Sequence, residues 1–241
     1  MTGKRTFALK LAYDGGAFCG WQKQPGQRSV QGAVEDALRL LFGKRYAVHG
    51  AGRTDKGVHA LGQVASFQCG RDGDVAQLRL EGVTLVASAE ASPSFHARAS
   101  SIGKRYRYRY CHGTGRDPAA FFLGADARPD WERARAALRA LDALAHLGGL
   151  ASPSTDRKPA PPLSRWALSD AGVLEVEARA FRKHEVRNLA GHLAAIALGL
   201  AEPPTLAILS QRARPWMGAT APPHGLTLVE VLYPRELDPF L

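Results

Sequence analysis

The chain has 241 residues, 45% of them hydrophobic, enough to bury a sizeable core in one large domain or two small halves. Thirty-two Lys and Arg against 22 Asp and Glu leave a formal charge of +10, which draws polyanions, whether nucleic acid or an anionic membrane surface. The longest apolar stretch, Leu193–Ala201, is far short of the ~20 residues of a spanning helix, and polar residues soon interrupt the N-terminal apolar run, so neither a membrane segment nor a signal peptide is expected.

Phe7–Tyr13 alternates in part, as a half-buried strand does. Ser29 is placed to cap a helix over Val30–Phe42, with Val30, Val34, Leu38 and Leu41 on one face and Gly43 at its end. Tyr46–Ala51 reads as a strand running into "GRTDKGVHA", and Gly62–Cys69 as the strand leaving it, which puts Asp55 in a strand-to-strand loop. Gly82–Ala91 is a further strand. In Gly103–His112, Tyr106, Tyr108 and Tyr110 fall on one face and Arg105, Arg107 and Arg109 on the other. Asp130 caps a helix predicted over Trp131–Leu147 and closed by Gly148. Ala151–Ser164 is proline-rich and aperiodic, the signature of an exposed loop. Val173–Phe181 alternates cleanly, a helix follows over His184–Leu200, a short helix over Thr205–Arg212, and Leu226–Tyr233 is the last strand. Helices separated by several strands predict an α+β fold with a largely antiparallel sheet, in two halves of similar element order, residues 1–112 and 113–241.

Cys19, Cys69 and Cys111 are odd in number and far apart; they make no disulfide framework and no CxxC pair, and read as small buried thiols in a reducing cytoplasm. Eight histidines are scattered without a metal-binding spacing, and neither GxGxxG nor a P-loop is present, so no metal and no nucleotide cofactor is expected. Basic residues are dense in Arg98–Tyr110 and Arg179–Arg187. Interleaved arginines and aromatics suit RNA, because guanidinium forks grip phosphates and rings stack on unpaired bases. The same pattern also describes an amphipathic strand with tyrosines inward and arginines solvated. Asp55 has two readings as well. Thr-Asp-x-Gly is good turn chemistry. Alternatively, a neighbouring cation holds the carboxylate ionised and aimed for reaction.

"AGRTDKGVHALGQV" (Ala51–Val64) resembles the signature of the tRNA pseudouridine synthase A family. So do "YDGGAFCGWQKQPGQRSVQGAVEDAL" (Tyr13–Leu38), "FHARASSIGKRYRYRY" (Phe95–Tyr110), "AFRKHEVRNLAGHL" (Ala180–Leu193) and "GLTLVEVLYP" (Gly225–Pro234), in order along the chain. The resemblance implies two pseudo-related halves sharing one sheet, with helices on one face and an RNA-binding cleft on the other. It implies isomerisation of uridine to pseudouridine in the anticodon stem-loop of tRNA, at positions 38–40, by a homodimer without cofactor. Asp55 corresponds to the family's essential aspartate, attacking either C1′ or uracil C6. Arg187 corresponds to the basic residue that pairs with it, and Arg53 to an arginine that helps drive the target nucleotide out of the stack. Tyr106 corresponds to the tyrosine against the uracil, and Leu226 to the apolar residue on the other side of the base.

The chain departs from the family between Phe67 and Phe95, which is short and lacks Asn-x-x-Leu-Pro. "HLGGLASPST" stands where the family has an aromatic F-x-x-F segment, and Lys56 adds a cation beside Asp55. These differences bear on docking and dimerisation rather than on the reacting groups. Two other functions compete: an RNA-binding relative without catalysis that acts on tRNA folding, and an unrelated enzyme taking an acidic metabolite.

Overall fold

The computed structural model describes residues 3–70, 73–143, 150–152, 161–202 and 219–241. Among these residues there are nine strands: β1 (Arg5–Tyr13), β2 (His49–Gly50), β3 (His59–Cys69), β4 (Val83–Ala91), β5 (Gly103–Cys111), β6 (Phe121–Phe122), β7 (Arg165–Leu168), β8 (Val173–Ala178) and β9 (Leu226–Leu232). The α-helices among them are α1 (Val30–Phe42), α2 (Trp131–Arg139) and α3 (Glu185–Ala197). The fold is α+β, its strands mainly antiparallel. None of these helices is long and apolar enough to cross a membrane. The chain divides into two units, Met1–Lys104 with Thr227–Leu241, and Arg105–Leu226.

In the first unit the strand order is β4-β1-β3-β9, with β2 on β3. β1 is antiparallel to both neighbours, and β9 joins β3 in parallel at His59–Thr227 and Ala60–Leu228. Phe7, Ala8 and Leu9 are buried in succession, so β1 is covered on both faces and not half-exposed as its partial alternation suggests. Helix α1 starts where the Ser29 side chain accepts from Gly32 N–H and stops where Gly43 turns left-handed. It buries Val30, Val34, Ala37, Leu38 and Phe42. Phe42 rather than Leu41 reaches the sheet; its ring meets Phe67, which stacks on Phe7 at 5.4 Å. Each such ring or branched chain taken from water stabilises the unit by roughly 1.5–3 kcal/mol.

In the second unit β5 neighbours β8, β8 pairs antiparallel with β7, and β6 pairs in parallel with the end of β5. Tyr106, Tyr108 and Tyr110 are all buried. Tyr110 packs on Trp131 of α2 and donates its hydroxyl to Ala190 O of α3 at 2.7 Å, so the tyrosine face is where the helices dock. The strand predicted over Tyr46–Ala51 shortens to His49–Gly50, and β6 and β7 were not anticipated. The helix begun at Trp131 passes into a 3-10 turn at Ala140–Ala143; its expected end near Leu147 and Gly148, the middle of the proline-rich loop and the expected helix over Thr205–Arg212 lie outside the described residues.

Candidate active site

Asp55 sits in the loop between β2 and β3, half-buried, with Arg53 and Lys56 exposed on either side. The loop is more than a turn. Thr54 O accepts from Trp21 N–H at 3.0 Å, Gly57 N–H donates to Gly15 O at 3.2 Å, and Val58 N–H closes back on Asp55 O at 3.1 Å. Beneath it Thr54 Oγ1 meets Tyr13 Oη at 2.9 Å, and Gln63, fully buried, donates Nε2 to Gly52 O at 2.8 Å. Burial pushes the Tyr13 phenol up to about 12, so it stays neutral and keeps its hydrogen to share. Two glycines let the N-terminal segment press against this loop. A Cβ on Gly20, whose φ is +93, would lie 2.8 Å from Thr54 O, and one on Gly15 would overlap Val58 O. His59 Nδ1 lies 3.0 Å from Asp14 Oδ1 and 3.3 Å from Gly15 N. Gly15 N–H donates to this ring nitrogen, and the Asp14 carboxylate stands beside it.

In the second unit the arginine face of β5 is matched with acids. Arg105 grips Glu177 through Nε and Nη2 at 3.2 and 2.9 Å, Arg107 grips Glu175 at 2.9 and 2.8 Å, and Arg109 pairs with Asp117. Of the two readings of this strand, the amphipathic one describes the packing: arginines answered by carboxylates, two of them on neighbouring β8. Tyr106 is buried with its ring edge-on to Phe181, centroids 5.2 Å apart.

Arg187 lies in the first turn of α3. Its Nε donates to Ala221 O at 2.8 Å while its own carbonyl accepts from Ala221 N–H at 3.1 Å. Tyr108 donates to Pro222 O at 2.9 Å, and Gly225 leaves room for the Tyr108 ring where a Cβ would come within 2.7 Å. The segment 219–225, which delivers Leu226, is therefore laced to α3 and β5, and Arg187 and Leu226 belong to one structure. Three neighbours that sequence reasoning passed over make this possible. Asn188 donates to Leu150 O at 2.6 Å and accepts from Thr220 Oγ1 at 2.7 Å. A Cβ on Gly191 would collide with Ala219 O. Glu185 accepts from Arg182 N–H at 2.6 Å, closing the turn before α3. Their signal was their place in "HEVRNLAG", beside the arginine, and not any pattern of their own.

Glu185 is almost fully covered, and burial pushes its carboxyl up to about 8, against a lowering from Arg182. The folded chain thus holds this proton up to pH 8, whereas the unfolded chain gives it up near 4.5. The sign follows: stability contributed by the neutral form is fully present below the unfolded value and lost as pH rises toward 8. Glu185→Gln cannot ionise. We expect thermal melts to show the wild type losing stability relative to Glu185→Gln between pH 5.5 and 8, on the order of 2 kcal/mol. Parallel melting curves for the two proteins would contradict this.

Among the described residues no three His, Cys, Asp or Glu side chains come together as metal ligands would. The family model described as tRNA pseudouridine synthase matches residues 11–93 and 142–234, which carry the Asp55 loop, Arg187 and Leu226. The chain belongs to that family. It is 36% identical to tRNA pseudouridine synthase A of Cereibacter sphaeroides, over 97% of this chain and 98% of the relative. It is also 36% identical to the protein of that name in Myxococcus xanthus, over 93% of this chain and 91% of the relative. A solved structure described as a pseudouridylate synthase overlaps 78% of this chain and 57% of its own at 12% identity; the TM-score of 0.35 is too slight to bear on the fold.

Tyr106 lies between the two matched stretches, although it carries the family resemblance in sequence. The synthase family is one of isomerases, so the chain is an enzyme that exchanges the uridine N-glycosidic bond for a C-glycosidic one. Among the residues predicted from sequence, Arg53 and Asp55 share one loop of the first unit. Tyr106, Arg187 and Leu226 belong to the second.

Proposed function

We propose that this chain converts uridine to pseudouridine at positions 38–40 of the tRNA anticodon arm, with Asp55 as the essential carboxylate. The observation that carries the proposal is the Asp55 loop. Its backbone is tied to Trp21, Gly15 and Gln63, while the side chain it presents is left half-exposed between two cations. A surface turn needs none of that support. A nucleophile does, since it must be held in place before the substrate arrives.

In this reading Arg53 drives the target nucleotide from the stack and holds it open. Unstacking costs a few kcal/mol, offset by packing the uracil between Tyr106 and Leu226. Arg187 pairs with the Asp55 carboxylate and aims it. Asp55 attacks C1′ or uracil C6, the C1′–N1 bond breaks, the detached ring turns, and C1′ rejoins at C5. The C5 proton then leaves to a base or to water and Asp55 is released. No electron, group donor or metal enters the balance. Acting as a homodimer in the cytoplasm, two subunits would share one tRNA, which makes use of more positive charge than one small site needs.

The test uses tRNA tritiated at uracil C5. Release of label to water, stoichiometric with pseudouridine formed, is the expected result. Binding of tRNA without release would mean the chain is an RNA-binding relative without catalysis.

A further inference from the structure

We propose that Arg98, Ser101 and Lys104, in the first unit, form a phosphate-binding subsite for the sugar–phosphate backbone of the tRNA; this rests on the reading of tRNA as substrate. Arg98 and Ser101 stand in a built turn, and Lys104 follows it at the start of β5. His96 Nδ1 accepts from both Arg98 N–H and Ala99 N–H at 3.2 Å. Ser100 Oγ accepts from His96 N–H at 3.1 Å, and Ser100 N–H returns to His96 O at 2.9 Å. Ala97 is fastened twice, its N–H to Ser66 Oγ of β3 at 3.0 Å and its carbonyl to Tyr233 Oη at 2.7 Å. A turn held this way has its backbone ordered before binding, so only the side chains remain to be fixed.

What it presents is positive charge that no acid among the described residues answers. Lys104 is nearly covered, and among the described residues its ammonium makes one hydrogen bond, to Ser101 Oγ at 3.3 Å. Ser101 in turn donates to Arg98 O at 2.9 Å. Arg98 is exposed, with no carboxylate within ion-pair distance among the described residues. The exposed His49 ring lies 4.9 Å from that of His96, tilted by 36°. Burial, and after it the Arg98 charge, push the Lys104 ammonium down to about 8. His96 is also lowered, by burial first and then by His49 and Arg98.

The contrast with the arginines further along β5 is direct. There Arg105, Arg107 and Arg109 each have a carboxylate, while among the described residues Arg98 and Lys104 have none. Covering an ammonium without an anion is costly. An incoming phosphodiester removes that cost. The Arg98 fork takes its oxygens directly, and Lys104 supplies the second charge from beneath. Ser101 fixes the lysine between the two.

The experiment measures tRNA binding by wild type, Arg98→Ala, Lys104→Met and Arg39→Ala from about 50 to about 300 mM KCl, reading the slope of log Kd against log salt. Arg39 is the comparison, a cation of α1 that pairs with Asp36 at 3.8 Å. Arg98→Ala is expected to bind on the order of fivefold more weakly near 0.1 M salt and to lower the slope by roughly 0.7–0.9, one phosphate's share. Lys104→Met should lower the same slope, and combining the two should add little, because both read one phosphate. Arg39→Ala should leave the slope unchanged. If the slopes of Arg98→Ala and Lys104→Met both equal that of the wild type, the subsite is overturned while the functional reading stands. If the wild type shows no salt-dependent tRNA binding at all, both fail together. Should Lys104→Met melt early, Arg98→Ala decides alone, since its side chain lies on the surface.

Discussion

Asp55→Asn is expected to abolish pseudouridine formation, by roughly four orders of magnitude or more, with tRNA affinity within about threefold of wild type. Asparagine has nearly the shape of aspartate, and its amide neither attacks a sugar nor leaves again as a carboxylate. The backbone of the loop is also held by other groups. Thr54 O is held by Trp21 N–H, Gly52 by Gln63, and Asp55 O by Val58 N–H. Single-turnover tritium release and filter binding on the same preparations measure the two quantities. Loss of binding in step with loss of turnover would make Asp55 a structural residue and remove the chemical reading.

Arg187 carries the second large effect. Arg187→Ala is expected to slow the chemical step about a thousandfold and Arg187→Lys about a hundredfold, both at saturating tRNA. Lysine keeps a charge but offers a single point where a guanidinium offers a planar fork. Nε of Arg187 is already committed to Ala221 O at 2.8 Å, which fixes the plane in which the remaining nitrogens lie. The second backbone bond between these residues, from Ala221 N–H to Arg187 O, does not involve the side chain. The 219–225 segment should therefore stay seated, and melting temperatures should fall only a few degrees. A rate for Arg187→Ala within threefold of wild type would rule out a role in aiming the carboxylate.

The legible parts of the molecule were those whose causes are local. Helix α1 could be read to its ends, because the Ser29 hydroxyl and the Gly43 backbone each do their work within three residues. The tyrosine–arginine alternation of β5 was visible, but the carboxylates of Glu175 and Glu177 that answer Arg107 and Arg105 stand about seventy positions away and share no pattern with them. β2 shrank to a pair of residues and β6 is no longer than that, too short for periodicity to register. α2 and α3 began at their expected places within a residue, since Asp130 caps the first and Val186, Leu189, Leu193 and Ala197 of the second repeat at helical spacing, although α3 is buried on nearly every side.

By itself the sequence determined the α+β class, the main strands and helices, and the family, through ordered motifs that name Asp55, Arg53, Tyr106, Arg187 and Leu226. Only the tertiary structure decided which cations are answered by acids and which are left open. Charge pairing depends on which strands become neighbours, and that choice is made by burying apolar faces far apart in the chain. The same reason explains why Gly20, Asn188 and Gly191 gained their meaning from the fold alone. A close approach between distant backbones leaves no local trace except a missing side chain or a small amide, and its purpose is known only once the other backbone is beside it.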